Sequence, residues 1–189
     1  MKEIYQTLIQ SQDRSYYIGC SDTSMVVGNW KTKTFEKWWL EKLGLNKNNL
    51  SNEAMKAGNN YEHKILDSLE IEDLEKDKQI IKDRLRANLD GNTNTCIYEV
   101  KTHNIDKEFK VSKQYWRQAQ VEMYASGIHK LYIVAYGLQE NDYNNYFNEI
   151  DKNRLELINV DYDKEFIENE YLPKLEILTE CLKKGVFPE

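Results

Sequence analysis

Residues 131–138 read LYIVAYGL and are apolar almost throughout. The run is far shorter than the roughly 18 residues of a membrane span. A strand that is apolar on both sides belongs in the middle of a sheet, not at its edge. Neighbouring strands must then come from elsewhere. Gln79–Asp90 and Thr95–His103 read as an antiparallel pair, and Arg154–Val160 alternates enough to be a further strand. Helices are expected from Thr34, as the cap, to Gly44, over residues 51–71 starting at Ser51, over Gln114–Gly127, and over Tyr162–Lys184, which Pro173 should bend or split. Met1–Gln10 is weakly helical, and Ser21 or Asp22 caps a short helix ending near Gly28. Trp38 and Trp39 fall on an apolar helix face and read as core, not as a base-stacking platform. With no repeat or low-complexity linker, residues 1–189 read as one domain.

The chemistry is concentrated in Leu85–His103, LRANLDGNTNTCIYEVKTH. Asn88, Asp90 and Gly91 form the exit of one strand, and the Asp-Gly step signals a turn. On the next strand a side-chain period of two puts Glu99, Lys101 and His103 on one face. Pairing the strands brings the Asp90 and Glu99 carboxylates together beside the Lys101 ammonium. Two such carboxylates repel unless a positive charge sits between them. A hard divalent cation with oxygen ligands meets that need, and the lysine can then orient a water or steady a phosphate. Metal-assisted phosphodiester hydrolysis is the chemistry this pattern suits. Glu-x-Lys by itself carries little weight, since it recurs at Glu62–Lys64 and Glu108–Lys110.

Other residues add to the pattern. Gly58 interrupts the stripe Met55, Tyr61, Ile65, Leu66 and Leu69, at a cost of about 1 kcal/mol in a helix interior. Close approach of another backbone is the expected reason. Glu62, one turn on, is then placed to reach a metal site. Gln118 shares a helix face with Glu122, and Gln120 shares one with Tyr124. One of these glutamines is aimed at a phosphate, a metal-bound water or a catalytic lysine, or else is a surface amide. Arg14 could fold back to make a phosphate contact beside Ser21, or be an ordinary surface arginine next to a cap.

Composition limits the alternatives. A net charge of -6 argues against a non-specific nucleic-acid binder, yet leaves room for a nuclease whose metal and basic rim supply the attraction. Cys20, Cys96 and Cys181 are scattered, which suits neither a disulfide framework nor a zinc or iron–sulfur cluster. With no signal-like apolar segment at the N-terminus, the chain reads as a cytoplasmic protein with no membrane association.

In order, Arg14-x6-Ser21, Gly58-x3-Glu62, Asp90, Glu99-x-Lys101 and Tyr115-x2-Gln118-x-Gln120 resemble the lambda-exonuclease-type branch of the PD-(D/E)xK nucleases, including the YqaJ-like viral recombinases. The resemblance runs from about Arg14 to Leu138. It implies an α/β (α+β) fold with a restriction-endonuclease-like core, a central mixed sheet flanked by helices. It implies a Mg²⁺ (or Mn²⁺) site held by Glu62, Asp90, Glu99 and the Val100 carbonyl, with Lys101 and Gln118 in the catalytic set. Arg14, Ser21 and Gln118 match the positions that hold a terminal 5′-phosphate; Asn88 stands where that pocket offers a serine. Leu89 replaces the usual proline before the aspartate. The expected activity is exonucleolytic hydrolysis of duplex DNA from 5′-phosphorylated ends during phage recombination. The expected partners are a single-strand annealing protein and further copies in a ring-shaped trimer. The alternatives are an endonuclease of the same superfamily, or a non-catalytic module that binds DNA ends or a protein.

Overall fold

The computed structural model describes residues 15–46 and 53–189. Six strands form one mixed sheet: β1 (Ile18–Gly19), β2 (Glu75–Lys82), β3 (Leu85–Asn92), β4 (Ile97–Asn104), β5 (Lys130–Leu138) and β6 (Leu155–Asp161). β5 lies parallel to β4 on one side and antiparallel to β6 on the other. Its side chains alternate between two cores, Leu131 and Ile133 to one and Val134, Tyr136 and Leu138 to the other. Burial on both faces is why its sequence shows no polar alternation.

Among the described residues, five α-helices cover the sheet: α1 (Thr23–Val26), α2 (Lys33–Lys42), α3 (Glu53–Ser68), α4 (Lys113–Ser126) and α5 (Leu172–Lys184). The larger core joins Trp39 of α2, Met123 of α4 and Leu178 of α5 to Ile133 of β5. The smaller joins Tyr61, Ile65 and Leu66 of α3 to Val100, Val134 and Tyr136. Each of these fully buried α3 side chains contributes about 1.5–3 kcal/mol by leaving water. Helices therefore cover both faces of a mixed sheet, as expected. Among the described residues no helix is long and apolar enough to cross a membrane.

The expected single strand Gln79–Asp90 is two strands. The chain reverses at Asp83, whose φ of 53° is left-handed, so Lys82 pairs with Leu85. The reversal was hidden because apolar residues flank it on both sides. Asp90-Gly91 is not a turn but lies inside β3. The β3–β4 turn is tied instead by Thr93, which accepts the Cys96 amide on its hydroxyl at 3.1 Å. Gly91 answers to packing: a Cβ there would stand 2.9 Å from Leu66 Cδ2. Helix α2 is capped by Thr32, not Thr34, through a bond from the Phe35 amide at 3.1 Å. Trp38 and Trp39 are core. Pro173 sits in the first turn of α5, just after a six-residue π turn, Phe166–Tyr171, where its missing N–H costs little. Ser51 and Met1–Gln10 lie outside the described residues.

Gly58 meets a side chain rather than a backbone. A Cβ there would stand 3.3 Å from Thr102 Oγ1 on β4. Gly58→Ala asks a few tenths of an ångström from that hydroxyl and gains about 1 kcal/mol of helix propensity, so its melting temperature should hold or rise. Gly58→Leu should cost about 1–3 kcal/mol by overpacking, pushing α3, and Glu62 with it, off the sheet. Thermal melts of the two variants check both statements.

Candidate active site

The site lies where β3 and β4 part. They pair only at Gly91–Tyr98 and Asn92–Ile97, next to the turn. At its far end β3 takes β1 as a parallel neighbour, through Leu85 and Arg86. Between these contacts Asp90 replaces a main-chain acceptor: its Oδ2 accepts the Val100 amide at 2.8 Å. A carboxylate thus stitches the opening, and a cleft of about 520 Å³ forms there.

The cleft gathers the expected residues from separate elements. Glu62 comes from α3, Asn88 and Asp90 from β3, Glu99, Val100 and Lys101 from β4, Gln118 from α4, and Ser21 from the turn after β1. Arg14 lies outside the described residues. Ser21 is followed by a helix of only four residues, too short for a useful dipole. Asp22 accepts the Gly19 amide at 2.9 Å instead of capping α1.

Hydrogen bonds order the centre. Glu99 is 3% exposed, and its Oε1 accepts from Lys101 Nζ at 2.6 Å and from Gln118 Nε2 at 2.5 Å. Its Oε2 is buried with no hydrogen-bond partner. Gln118 Nε2 also donates to Glu122 Oε1 at 2.8 Å. Gln120, by contrast, bonds main chain: it donates to the Asp161 carbonyl and accepts the Asp163 amide. Asn88 receives Gln79 Nε2 on its oxygen at 3.0 Å, which turns its own amide donors elsewhere.

The electrostatics show that the carboxylates sense one another. Burial pushes the Asp90 carboxyl well up, and Glu99 and Glu62 add to the shift. Glu62 is raised by burial, then by Glu99 and Asp77. Glu122 is raised well above its ordinary value by burial and then by Glu99. Burial opposes the Lys101 ammonium, but contact with Glu99 and the field of Asp90 outweigh it and hold the lysine protonated. Glu99 and Glu122 share the Gln118 amide, while Asp90 takes the Val100 N–H. Among the described residues, the trio of metal-ligand type with atoms within 4.8 Å of one another is Glu62, His63 and Asp77, of which Glu62 lines the cleft. Glu62, Asp90 and Glu99 do not close to that distance as a trio.

Three further charged residues, Arg86, Lys42 and Glu122, line the cleft. Arg86 is 6% exposed and stacks on Tyr17, with its guanidinium 5.4 Å from the ring centre. It stands two and four residues before Asn88 and Asp90, so the strand period alone would have placed all three in the cleft. Lys42 of α2 is bonded to Asp22 at 2.6 Å. Nothing in its helical context announces a site residue. Glu122 was noted only for sharing the face of Gln118.

Comparisons with known proteins bear on the fold and the family. No curated protein sequence matches the chain. Among solved structures, an alkaline exonuclease (LHK-Exo) from Laribacter hongkongensis superposes with a TM-score of 0.66 at 18% identity, covering 97% of this chain and 95% of that one. LHK-Exo in complex with dAMP gives 0.64 at 18% identity, over 90% and 92% of the two chains. A phage-related exonuclease from Haemophilus somnus 129PT gives 0.63 at 17% identity, over 89% and 92%. At these identities the likeness establishes a shared fold. The sequence model of the YqaJ-like viral recombinase domain matches residues 11–129, most of the chain, and the protein belongs to that family.

Proposed function

We propose that this protein is a divalent-metal-dependent deoxyribonuclease of phage recombination that degrades duplex DNA from 5′-phosphorylated ends. The observation that carries the reading is the buried, unpartnered Oε2 of Glu99 in a cleft shared with Asp90, Glu62 and Lys101. A buried carboxylate oxygen with no donor is costly unless a cation completes it. The all-oxygen donor set of Glu62, Asp90, Glu99 and the Val100 carbonyl suits Mg²⁺ or Mn²⁺ by its chemistry, and the three carboxylates would draw closer than they stand here to share one ion. Such an ion, when bound, polarises the scissile phosphate and acidifies a water. The exonuclease descriptions of the structural neighbours, one of them in complex with dAMP, support the same reading.

The chain's own side chains supply the rest. Lys101, kept protonated against Glu99, orients the attacking water and offsets charge that builds on the phosphate. Gln118 holds Glu99 in place. Arg14, Ser21 and the free donors of Asn88 hold the terminal phosphate, which sets the end from which cutting begins. The buried Arg86 adds positive charge to the cleft wall of an acidic protein.

Linear duplexes with 5′-phosphate or 5′-hydroxyl ends, beside a covalently closed circle, test the reading in Mg²⁺, in Mn²⁺ and in chelator. Cation-dependent loss of the linear substrates is expected, faster on phosphorylated ends, with the circle intact. Arg14→Ala should slow cutting of phosphorylated ends selectively. Cleavage of the circle at the linear rate would point to an endonuclease. Equal slowing by Arg14→Ala on both kinds of end would remove Arg14 from the phosphate pocket.

A further inference from the structure

We propose that Glu122 is a positioning residue: it pins the side-chain amide of Gln118 and, through it, sets the Glu99 carboxylate for hydrolysis. The inference rests on the nuclease reading above and adds a residue to it. Gln118 and Glu122 are one helical turn apart, so their side chains meet on the face of α4 that looks into the cleft. A primary amide has two N–H donors and one carbonyl acceptor. Both donors of Gln118 are spent, at 2.5 Å on Glu99 Oε1 and at 2.8 Å on Glu122 Oε1. Glu99 favours this orientation, because Lys101 already donates to the same oxygen and a flipped amide would turn its carbonyl toward that carboxylate. What Gln118 presents to the cleft is therefore its carbonyl oxygen, an acceptor for a water hydrogen and no donor for a phosphate.

The same bond governs Glu99. With Lys101 and Gln118 both on Oε1, the carboxylate plane is fixed and Oε2 is the oxygen left over. Remove Glu122 and one amide hydrogen loses its partner. The amide can then rotate, and Glu99 loses a fixed constraint. Fold stability alone gives no reason for an acid here. Glu122 is fully buried and its own Oε2 is also unpartnered, an arrangement that an apolar side chain of similar volume would relieve.

Glu122→Gln keeps an acceptor for Gln118 and removes the acid, whereas Glu122→Leu removes the acceptor and fills the volume; Glu122→Met repeats the second change without branching. On linear duplex with Mg²⁺, Glu122→Leu should lower kcat about 10–100-fold, as for other groups that orient a metal ligand. Its KM should stay within about twofold and its melting temperature should hold or rise. Glu122→Gln should recover kcat to within about threefold of the parent. A second readout needs no activity: the exchange rate of the Gln118 side-chain amide by NMR, its signals identified by their loss in Gln118→Ala. Slow exchange is expected in the parent and in Glu122→Gln, and fast exchange in Glu122→Leu. Parental kcat in both Glu122→Leu and Glu122→Met overturns the proposal. So does a Glu122→Gln variant as slow as Glu122→Leu, or an amide indifferent to position 122. A parent that cuts no DNA refutes the nuclease reading instead, and amide exchange still reports whether Glu122 holds Gln118.

Discussion

Asp90→Asn should lower turnover on linear duplex by about a thousandfold or more, since it removes charge from the centre of the site. Its melting temperature should stay level or rise. The two parts of the result have one origin. Asp90 has a structural duty that asparagine can perform: its amide oxygen can accept the Val100 N–H as Oδ2 does at 2.8 Å. The negative charge has no such duty. It is buried, and Glu99 and Glu62 oppose it, as its raised pKa shows. A neutral group at position 90 relieves that repulsion while removing the charge that the proposed metal site would need. Lys101→Ala should be equally inactive but less stable, because it strips the ammonium from a Glu99 that is 3% exposed. Breaking a buried pair by removing one partner costs about 3–5 kcal/mol. Initial rates and thermal melts on the two variants separate the charge needed for chemistry from the charge needed for folding. An Asp90→Asn protein that still degrades DNA at a tenth of the parent rate would remove Asp90 from the catalytic set.

An equally large stability effect is expected at a distance from the cleft. Asp142→Ala should cost about 3–5 kcal/mol, or roughly 10 °C in melting temperature for a chain of this size. Asp142 is 2% exposed and binds Arg154 Nη1 at 2.6 Å, the Gln139 amide at 2.9 Å and Asn148 Nδ2 at 2.9 Å. Removing it would leave the Arg154 guanidinium, itself little exposed, without its closest anion. The loss should reach the cleft through α3. Tyr61, the neighbour of Glu62, donates to the Asn145 carbonyl at 2.6 Å, and Lys64 donates to the carbonyls of Tyr146 and Asn148. The segment that Asp142 organises therefore grips the helix that carries Glu62. Burial opposes the Asp142 charge, but the Gln139 amide, Asn148 and Arg154 outweigh it and lower its pKa. A carboxylate with a lowered folded pKa contributes stability that is full above its unfolded value, near 3.9, and is lost as pH falls through the folded value. Denaturant melts between about pH 6 and pH 2 should show this acid-side loss in the parent and much less of it in Asp142→Ala.

Much of the architecture was legible because its signals are local. LYIVAYGL marks a strand buried on both faces, and β5 is that strand. The spacing of Tyr61, Ile65 and Leu66 marks a helix with one buried side, and α3 buries that side. A period of two put Glu99 and Lys101 on one face, where they bond at 2.6 Å. The β2–β3 reversal escaped because Asp83 has neither a glycine nor a proline beside it to announce a left-handed turn. Arg86 shares the two-residue period of Asn88 and Asp90, but an arginine on a strand carries no site signal of its own.

Residue types and their order were enough to single out Glu62, Asp90, Glu99, Lys101 and Gln118, and the fold brings all five to one cleft. Type and order could not say which atoms meet. Side-chain periodicity specifies a direction relative to the backbone, whereas a hydrogen bond between α4 and β4 depends on how helix and sheet pack across an interior remote in sequence. The partial pairing of β3 and β4, the Asp90 bond that bridges their opening, and the Glu99–Gln118–Glu122 chain are all products of that packing.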